Sequence, residues 1–336
     1  MLAEAGEAPQ AVARLLASDH DVYAALAADL RNTPPAAMLT VARGSSDHAA
    51  HYMAYLTMAR LGRLVTSLPM SLVTLYPSRL VCDGLAAFGF SQSGQSPDIV
   101  APIAAVRERG ARTVALVNDT ASPLAQAAQW LLPLHAGREQ SVAATKSYIA
   151  QLVAGARLVA SWEREKALLD AIEALPEALS RAAALDWSPA VEALQGADRL
   201  YVIGRGTGHA VTMEAALKLK EVCAIQAEAF SGAEVKHGPM AIIGENYPLL
   251  VLAPRGPAQT GLLALAAEMR ERGARVLLAA PPGTPHAQLP LAATGHEDLD
   301  PIAVVQSLYP MVEALARARG LDPDKPRFLS KVTKTH

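Results

Sequence analysis

Apolar residues come along this chain in short runs that alternate with longer stretches of helical spacing. Met38–Ala42 is such a run and closes on Arg43-Gly44-Ser45-Ser46; a helical pattern then continues to Leu61. Leu85–Phe90 closes on Ser91-Gln92-Ser93-Gly94, and Pro97–Arg109 reads as a helix with proline in its first turn. Thr113–Val117 is a β-branched strand ending at Asn118-Asp119, and a further helix spans Ala143–Trp162. Strands alternating with helices predict βαβ units around a buried parallel sheet, an α/β fold.

From Glu163 to Gln195 the pattern is helical and charged, punctuated by Pro176 and Pro189, as expected of a connector. Then it restarts. Arg199–Ile203 is a strand ending in Gly204-Arg205-Gly206-Thr207, with a helix through Val222. Leu249–Ala253 and Arg275–Ala280 are strands around the helix Gln259–Arg272, Pro301–Arg319 is the last long helix, and Leu321–His336 is a tail rich in charge and proline. Arg-Gly-Ser/Thr follows a strand both at Arg43 and at Arg205, 162 residues apart, about half the chain. Both copies close the first strand of their half, which suggests a duplicated α/β domain. Ligands of open α/β sheets bind beyond the carboxyl ends of strands, so both loops are candidate sites.

The length of 336 residues accommodates two domains, and 51% apolar residues fill two cores. With only 4% aromatics those cores are aliphatic. A net charge of −2 without clustered Lys or Arg argues against a nucleic-acid partner. Cys82 and Cys223 read as free thiols of a reducing compartment. No apolar run reaches the roughly 18–20 residues of a bilayer span, and acidic Met1–Gln10 lacks the basic start and apolar core of a secretory leader. The expectation is a cytoplasmic protein with no membrane partner.

Ser91-Gln92-Ser93-Gly94-Gln95-Ser96-Pro97-Asp98 places three hydroxyls, two amides and a glycine between a strand and a helix N-terminus. Neutral donors beside exposed helix N–H groups suit a dianionic phosphate, and Ser45 and Ser46 add hydroxyls at the neighbouring strand end. An ordinary Ser/Gly turn with a helix cap has the same composition. No G-x-x-x-x-G-K-[ST] occurs, and Gly204-Arg205-Gly206-Thr207-Gly208-His209 has a histidine where a dinucleotide fingerprint needs its third glycine. No cofactor is expected.

Glu214, Lys218 and Glu221 fall at i, i+4 and i+7 and share one face of an otherwise apolar helix. That stripe is either a solvated face with ion pairs or a polar site in which burial and a neighbouring lysine tune a carboxylate for proton transfer. A compact polar segment, Ala227–Pro239, follows without a strand pattern and carries His237 between Lys236 and Gly238-Pro239. No second His or Cys stands at metal-ligand spacing from it, so no metal site is expected. His48 and His51 belong to the helix after Ser46.

At these residues the chain resembles a known family. Ser91–Gly94, Val142-Ala-Ala-Thr-Lys146, Glu214–Glu221, Ala227–Phe230, Glu234–Pro239 and the tail Asp324–Thr333 are similar, in order, to the isomerase half of glucosamine-6-phosphate synthase, from about residue 30 to the end. The resemblance implies two tandem sugar-isomerase (SIS) domains, each a flavodoxin-like parallel sheet flanked by helices. It divides the chain into an N-terminal helical segment (1–30), a first SIS domain that binds phosphate (31–165), a helical connector (166–195), a second SIS domain with the catalytic helix (196–320) and a tail closing the active site (321–336). It implies that Ser46, Ser91, Gln92, Ser93 and Ser96 hold the sugar phosphate, with Gly44, Ser45, Val142 and Ser330 as further substrate contacts. Glu221 matches the acid/base working between C1 and C2, and Lys218 a lysine beside that centre. His237 matches the ring-opening residue, which in the family reaches the partner subunit's site, so a homodimer with shared active sites is implied. Lys331 matches a tail lysine that forms a Schiff base with an open-chain ketose.

One departure stands out. The synthase begins with a glutaminase domain bearing a nucleophilic cysteine, whereas about 30 residues without cysteine precede the first SIS domain here. The expectation is therefore that glutamine is not the nitrogen source. Gly44–Ala49, Ser96-Pro97-Asp98, Leu116–Asp119 and the ending Lys331–His336 resemble the stand-alone SIS-type glucosamine-6-phosphate deaminases. The reaction implied is glucosamine 6-phosphate and water to fructose 6-phosphate and ammonia. A fructosamine-6-phosphate deglycase, an ammonia-dependent isomerase and a non-catalytic sugar-phosphate sensor are the alternatives.

Overall fold

The computed structural model describes residues 1–76 and 78–331. The chain divides into two compact units, each with its own parallel sheet.

One unit comprises Gln10–Glu139, Lys146–Glu173 and the tail from Ser330. Its strands are β1 (Met38–Val41), β2 (Val65–Ser67), β3 (Ala86–Ser91), β4 (Arg112–Val117) and β5 (Trp130–Pro133), in spatial order β2-β1-β3-β4-β5 and all parallel. The chain leaves β1 toward one edge and returns on its other side, so strand order reverses between β1 and β3, where Thr40 aligns with Phe88. The crevice beyond such a reversal is where open α/β sheets take their ligands. The helices α1 (Ser45–Leu61), α2 (Pro97–Glu108) and α3 (Lys146–Glu163) cover this sheet. Alternate strand residues Leu39, Val41, Ala87, Ala115 and Val117 pack with Ile99, Ile103 and Val106 of α2. α3 is buried along almost its whole length, as expected of a helix apolar all round. A Cβ on Gly155 would lie 3.0 Å from Met53 Cβ, so glycine is what lets α1 and α3 close on each other.

The other unit comprises Met1–Pro9, Gln140–Thr145 and Ala174–Leu329. Its strands β6 (Arg199–Gly204), β7 (Gln226–Ser231), β8 (Pro248–Leu252), β9 (Arg275–Ala280) and β10 (Leu289–Pro290) lie in order β10-β9-β8-β6-β7. Counted from its own first strand this is the same order as in the other sheet, so the duplication suggested by Arg43 and Arg205 holds at the level of topology. The helices α4 (His209–Cys223), α5 (Gln259–Glu271) and α6 (Asp300–Ala318) flank it. Leu262, Leu265, Ala266 and Met269 of α5 pack on Ile203, Leu249, Val251 and Leu278, while α4 and α6 pack on one another.

Four strands were not expected from the pattern: β2, β5, β7 and β10. The case of β7 corrects the reading of the segment after Glu221 as strandless, because Gln226–Ser231 pairs along its full length with β6, Gly204 opposite Ser231. It is an edge strand, only one of its residues is buried, and it therefore lacks the apolar run of a central parallel strand. Residues 1–32 form the helices Leu2–Gly6, Ala8–Leu16 and His20–Asn32. Cys82 and Cys223 are free, buried thiols. Among the described residues no helix is long and apolar enough to cross a membrane.

Candidate functional site

The candidate residues fall into two groups, one in each unit. In the first, the carboxyl ends of neighbouring β1 and β3 present Gly44-Ser45-Ser46 and Ser91–Ser96 at the point where strand order reverses. Gly44, at φ +54°, turns the chain into α1, and Ser96 in extended backbone stands at the N-cap position of α2, with Pro97 opening the helix. The loop between is internally braced. Gly94 N–H donates to Ser91 Oγ at 2.9 Å and Gln95 N–H to Ser93 Oγ at 3.3 Å. Gln95 Nε2 donates to Asp119 Oδ2 at 3.2 Å. Gly94 sits at φ +64°, and a Cβ there would lie 2.2 Å from Ser122 Oγ, so the loop shape requires glycine. Ser91 and Ser93 thus accept from the backbone, which leaves their own hydroxyl protons to be donated elsewhere. Ser46 Oγ likewise accepts from Gln151 Nε2 at 3.0 Å. Gln151, buried on α3, was not singled out in the sequence; a lone amide on so apolar a helix was the available signal.

Lys331 and Ser330 belong to the same unit. Lys331 Nζ lies 3.2 Å from Glu139 Oε2. Glu139 is buried and accepts from Ser147 N–H at 3.2 Å and from Ser147 Oγ at 2.5 Å. This residue, too, went unremarked in the sequence, although it stands three positions before Val142. Val332 and Thr333 of the tail motif lie outside the described residues, as does the rest of the ending 332–336.

In the other unit, α4 carries the acid/base candidates. Glu214 and Lys218 are completely buried, while the Glu221 side chain keeps about a quarter of its surface exposed. Lys218 Nζ bridges the two carboxylates, 3.5 Å from Glu214 Oε1 and 2.5 Å from Glu221 Oε2. Tyr309 of α6 donates its hydroxyl to Glu214 Oε1 at 3.3 Å. Burial works against the Lys218 ammonium, but the fields of Glu214 and Glu221 and their hydrogen bonds outweigh it and hold the pKa above that of an ordinary lysine. Of the two readings left open for this stripe, the solvated face does not apply. The array is a buried ion pair on which one partly open carboxylate is mounted.

His237 stands apart from that array. It is exposed at the end of the short turn Glu234–His237, which Val235 anchors in the core and Lys236 ties to Glu268 of α5. Among the described residues no hydrogen bond or ion pair joins His237 to Lys218 or Glu221. Val142 N–H donates to Asp324 O at 3.4 Å, placing the segment 140–145 beside the start of the tail within this unit. Among the described residues no three His, Cys, Asp or Glu side chains gather as a metal-binding group.

These features, a duplicated five-stranded parallel sheet with hydroxyl-rich loops at the strand-order reversal, define the class. The family model for the SIS domain matches residues 35–161 and 193–293, and the chain belongs to the SIS family. Over 98% of its length it is 33% identical to the glutamine–fructose-6-phosphate aminotransferase (isomerizing) of Symbiobacterium thermophilum, of which it covers 58%. The chain thus spans little more than half the length of that relative. Among solved structures it is 42% identical to a protein of Silicibacter pomeroyi assigned as a phosphosugar isomerase, with a TM-score of 0.91 over 96% of this chain and 99% of that one. A glucosamine-6-phosphate deaminase of Thermotoga maritima shares the fold, with 20% identity and a TM-score of 0.78 over 99% of both chains.

Proposed function

We propose that this protein is a cytoplasmic phosphosugar enzyme that converts glucosamine 6-phosphate and water to fructose 6-phosphate and ammonia. The observation that carries this reading is the Glu214–Lys218–Glu221 array. A proton moved between adjacent carbons needs one carboxylate that is open to substrate and held in a fixed place, with a cation beside the charge that develops. Glu221 takes the C2 proton of the open-chain amino sugar and returns it to C1 through an enolamine. The C2 ketimine so formed is hydrolysed, releasing ammonia. Lys218, kept protonated by its two carboxylates, faces the charge that builds on C1–C2.

Ser46, Ser91, Gln92, Ser93 and Ser96 bind the phosphate with neutral donors and two helix N-termini, and Gly44, Ser45, Val142 and Ser330 complete the substrate contacts. Binding energy gained at the phosphate positions the distant reacting carbons. His237 opens the ring. Its exposure, and that of Ile242 (60%) in the next turn, support a homodimer in which His237 serves the site of the second copy. The test is isotopic. In heavy water, exchange of the proton held on Glu221 with solvent during the lifetime of the enolamine should place deuterium at C1 of fructose 6-phosphate, and Glu221→Gln should abolish that incorporation while the variant still binds fructose 6-phosphate. Undiminished incorporation in Glu221→Gln would remove Glu221 from the proton transfer.

A further inference from the structure

The tail lysine reaches its place through a buried acid. Glu139 lies at the end of the segment after β5, and its side chain has no exposed surface. It faces the first turn of α3, where Ser147 gives it both a backbone N–H and a hydroxyl. A helix N-terminus favours a negative group, so the ionised carboxylate is supported from within the unit. Lys331, about a quarter exposed, meets the same oxygen, Oε2, that the Ser147 hydroxyl does. A buried acid fixed at a helix N-terminus is a rigid anchor. The lysine, near the end of a tail with little regular structure, is the group being placed.

We propose that Glu139 is the positioning residue for Lys331, and that it exchanges the proton the lysine must shed to become a nucleophile. The inference rests on reading Lys331 as the lysine that condenses with an open-chain ketose phosphate. The step balances as follows. Glu139 accepts one proton from the Lys331 ammonium, and the free amine attacks C2 of the ketose. One proton shifts from nitrogen to the former carbonyl oxygen. Glu139 then returns its proton as the C2–O bond breaks, so that water leaves and a protonated imine with one N–H remains. No oxidant, metal or further reactant takes part. Without Glu139 the ammonium loses this buried counter-charge and the acceptor 3.2 Å from its nitrogen.

The experiment traps the imine on the full chain. Purified protein is incubated with fructose 6-phosphate and a hydride reductant, and the adduct is located by peptide mass mapping while sugar phosphate affinity is measured by calorimetry. The wild type should carry the adduct at Lys331. Glu139→Gln keeps the shape and can still accept from Ser147, yet its trapping rate should fall about a hundredfold or more, the scale of a lost proton-transfer partner. Affinity, which comes mainly from the phosphate loop, should change far less. Glu139→Asp restores the charge at shorter reach and should recover part of the rate, and it serves as the test should Glu139→Gln not fold. A wild type trapped at Lys331 together with a folded Glu139 variant trapped at the same rate would overturn the inference. A wild type without any Lys331 adduct would overturn the imine reading, and the role of Glu139 with it, while leaving ammonia release as a separate question.

Discussion

Replacing Lys218 with methionine removes the cation between two carboxylates and leaves Glu214, fully buried and accepting from Tyr309, without that counter-charge. At the 3.5 Å separation of Lys218 and Glu214, the Coulomb attraction is about 5 kcal/mol for an effective dielectric near 20. Removing one partner of a buried pair costs about 3–5 kcal/mol, because the remaining charge is stranded. The variant escapes part of this by protonating Glu214, which burial favours. That escape has a signature. With its pKa raised in the folded variant, Glu214 retains a proton that the unfolded chain releases above about pH 4.3, so stability falls as pH rises, by up to about 1.4 kcal/mol per unit. In the wild type the sign is the same but the window lies far higher. The Lys218 pKa is raised, so its contribution is complete below the ordinary lysine value near 10.4 and is lost only as pH climbs through the raised one. Urea unfolding, with hydrogen exchange of the α4 amides to localise the effect, should therefore show Lys218→Met far weaker than wild type near pH 8 and less so near pH 5. Adding Glu214→Gln, whose amide oxygen still accepts from Tyr309, should recover much of the loss. If Lys218→Met stays within about 0.5 kcal/mol of wild type at both pH values, the buried-array account is wrong.

Other outcomes follow from the same structure. Glu221→Gln should lower turnover by about 10²–10⁴ while fructose 6-phosphate affinity, read by calorimetry, barely moves. Ser93→Ala should weaken sugar phosphate affinity by about 1–2 kcal/mol with little effect on the bound complex, and glucosamine without phosphate should be a very poor substrate. Gly94→Ala, with its Cβ 2.2 Å from Ser122 Oγ at φ +64°, should lose affinity more severely than Ser93→Ala, and equal affinities would remove the loop from the site. Mixing Glu221→Gln with His237→Ala protomers under conditions of subunit exchange should restore part of the activity, because one site of each heterodimer carries neither lesion. Exchange without recovery would place His237 in its own chain's site or outside catalysis.

The central strands were readable because a parallel sheet covered on both faces needs continuous apolar runs, and β1, β3, β4, β6, β8 and β9 have them. The missed strands are all edges or next to nothing in length. β2 runs through half-buried and exposed residues, β10 has two residues with a proline, and β7 opens Gln-Ala-Glu-Ala, with polar residues between its alanines. In each the pairing partner, not the composition, decides the conformation. The phosphate-loop candidates were legible because hydroxyl and glycine content at a strand-to-helix turn is a local property. The state of the Glu214 stripe was not, since it depends on Tyr309, 95 residues away on α6. Glu139 stayed hidden for the same reason. Its neighbours in sequence are polar, and only the fold buries it against Ser147 and 192 residues from Lys331 along the chain.

The central claim is tested most directly by giving the purified protein a panel of hexosamine 6-phosphates and fructosamine 6-phosphates, without glutamine, and measuring ammonia or amine release together with the ketose phosphate formed. Ammonia and fructose 6-phosphate should form in equal amounts from glucosamine 6-phosphate, without added metal or cofactor, and both products should be lost in Glu221→Gln. Release of an amine from fructosamine 6-phosphates alone, or binding of sugar phosphates with no turnover of any, would contradict it.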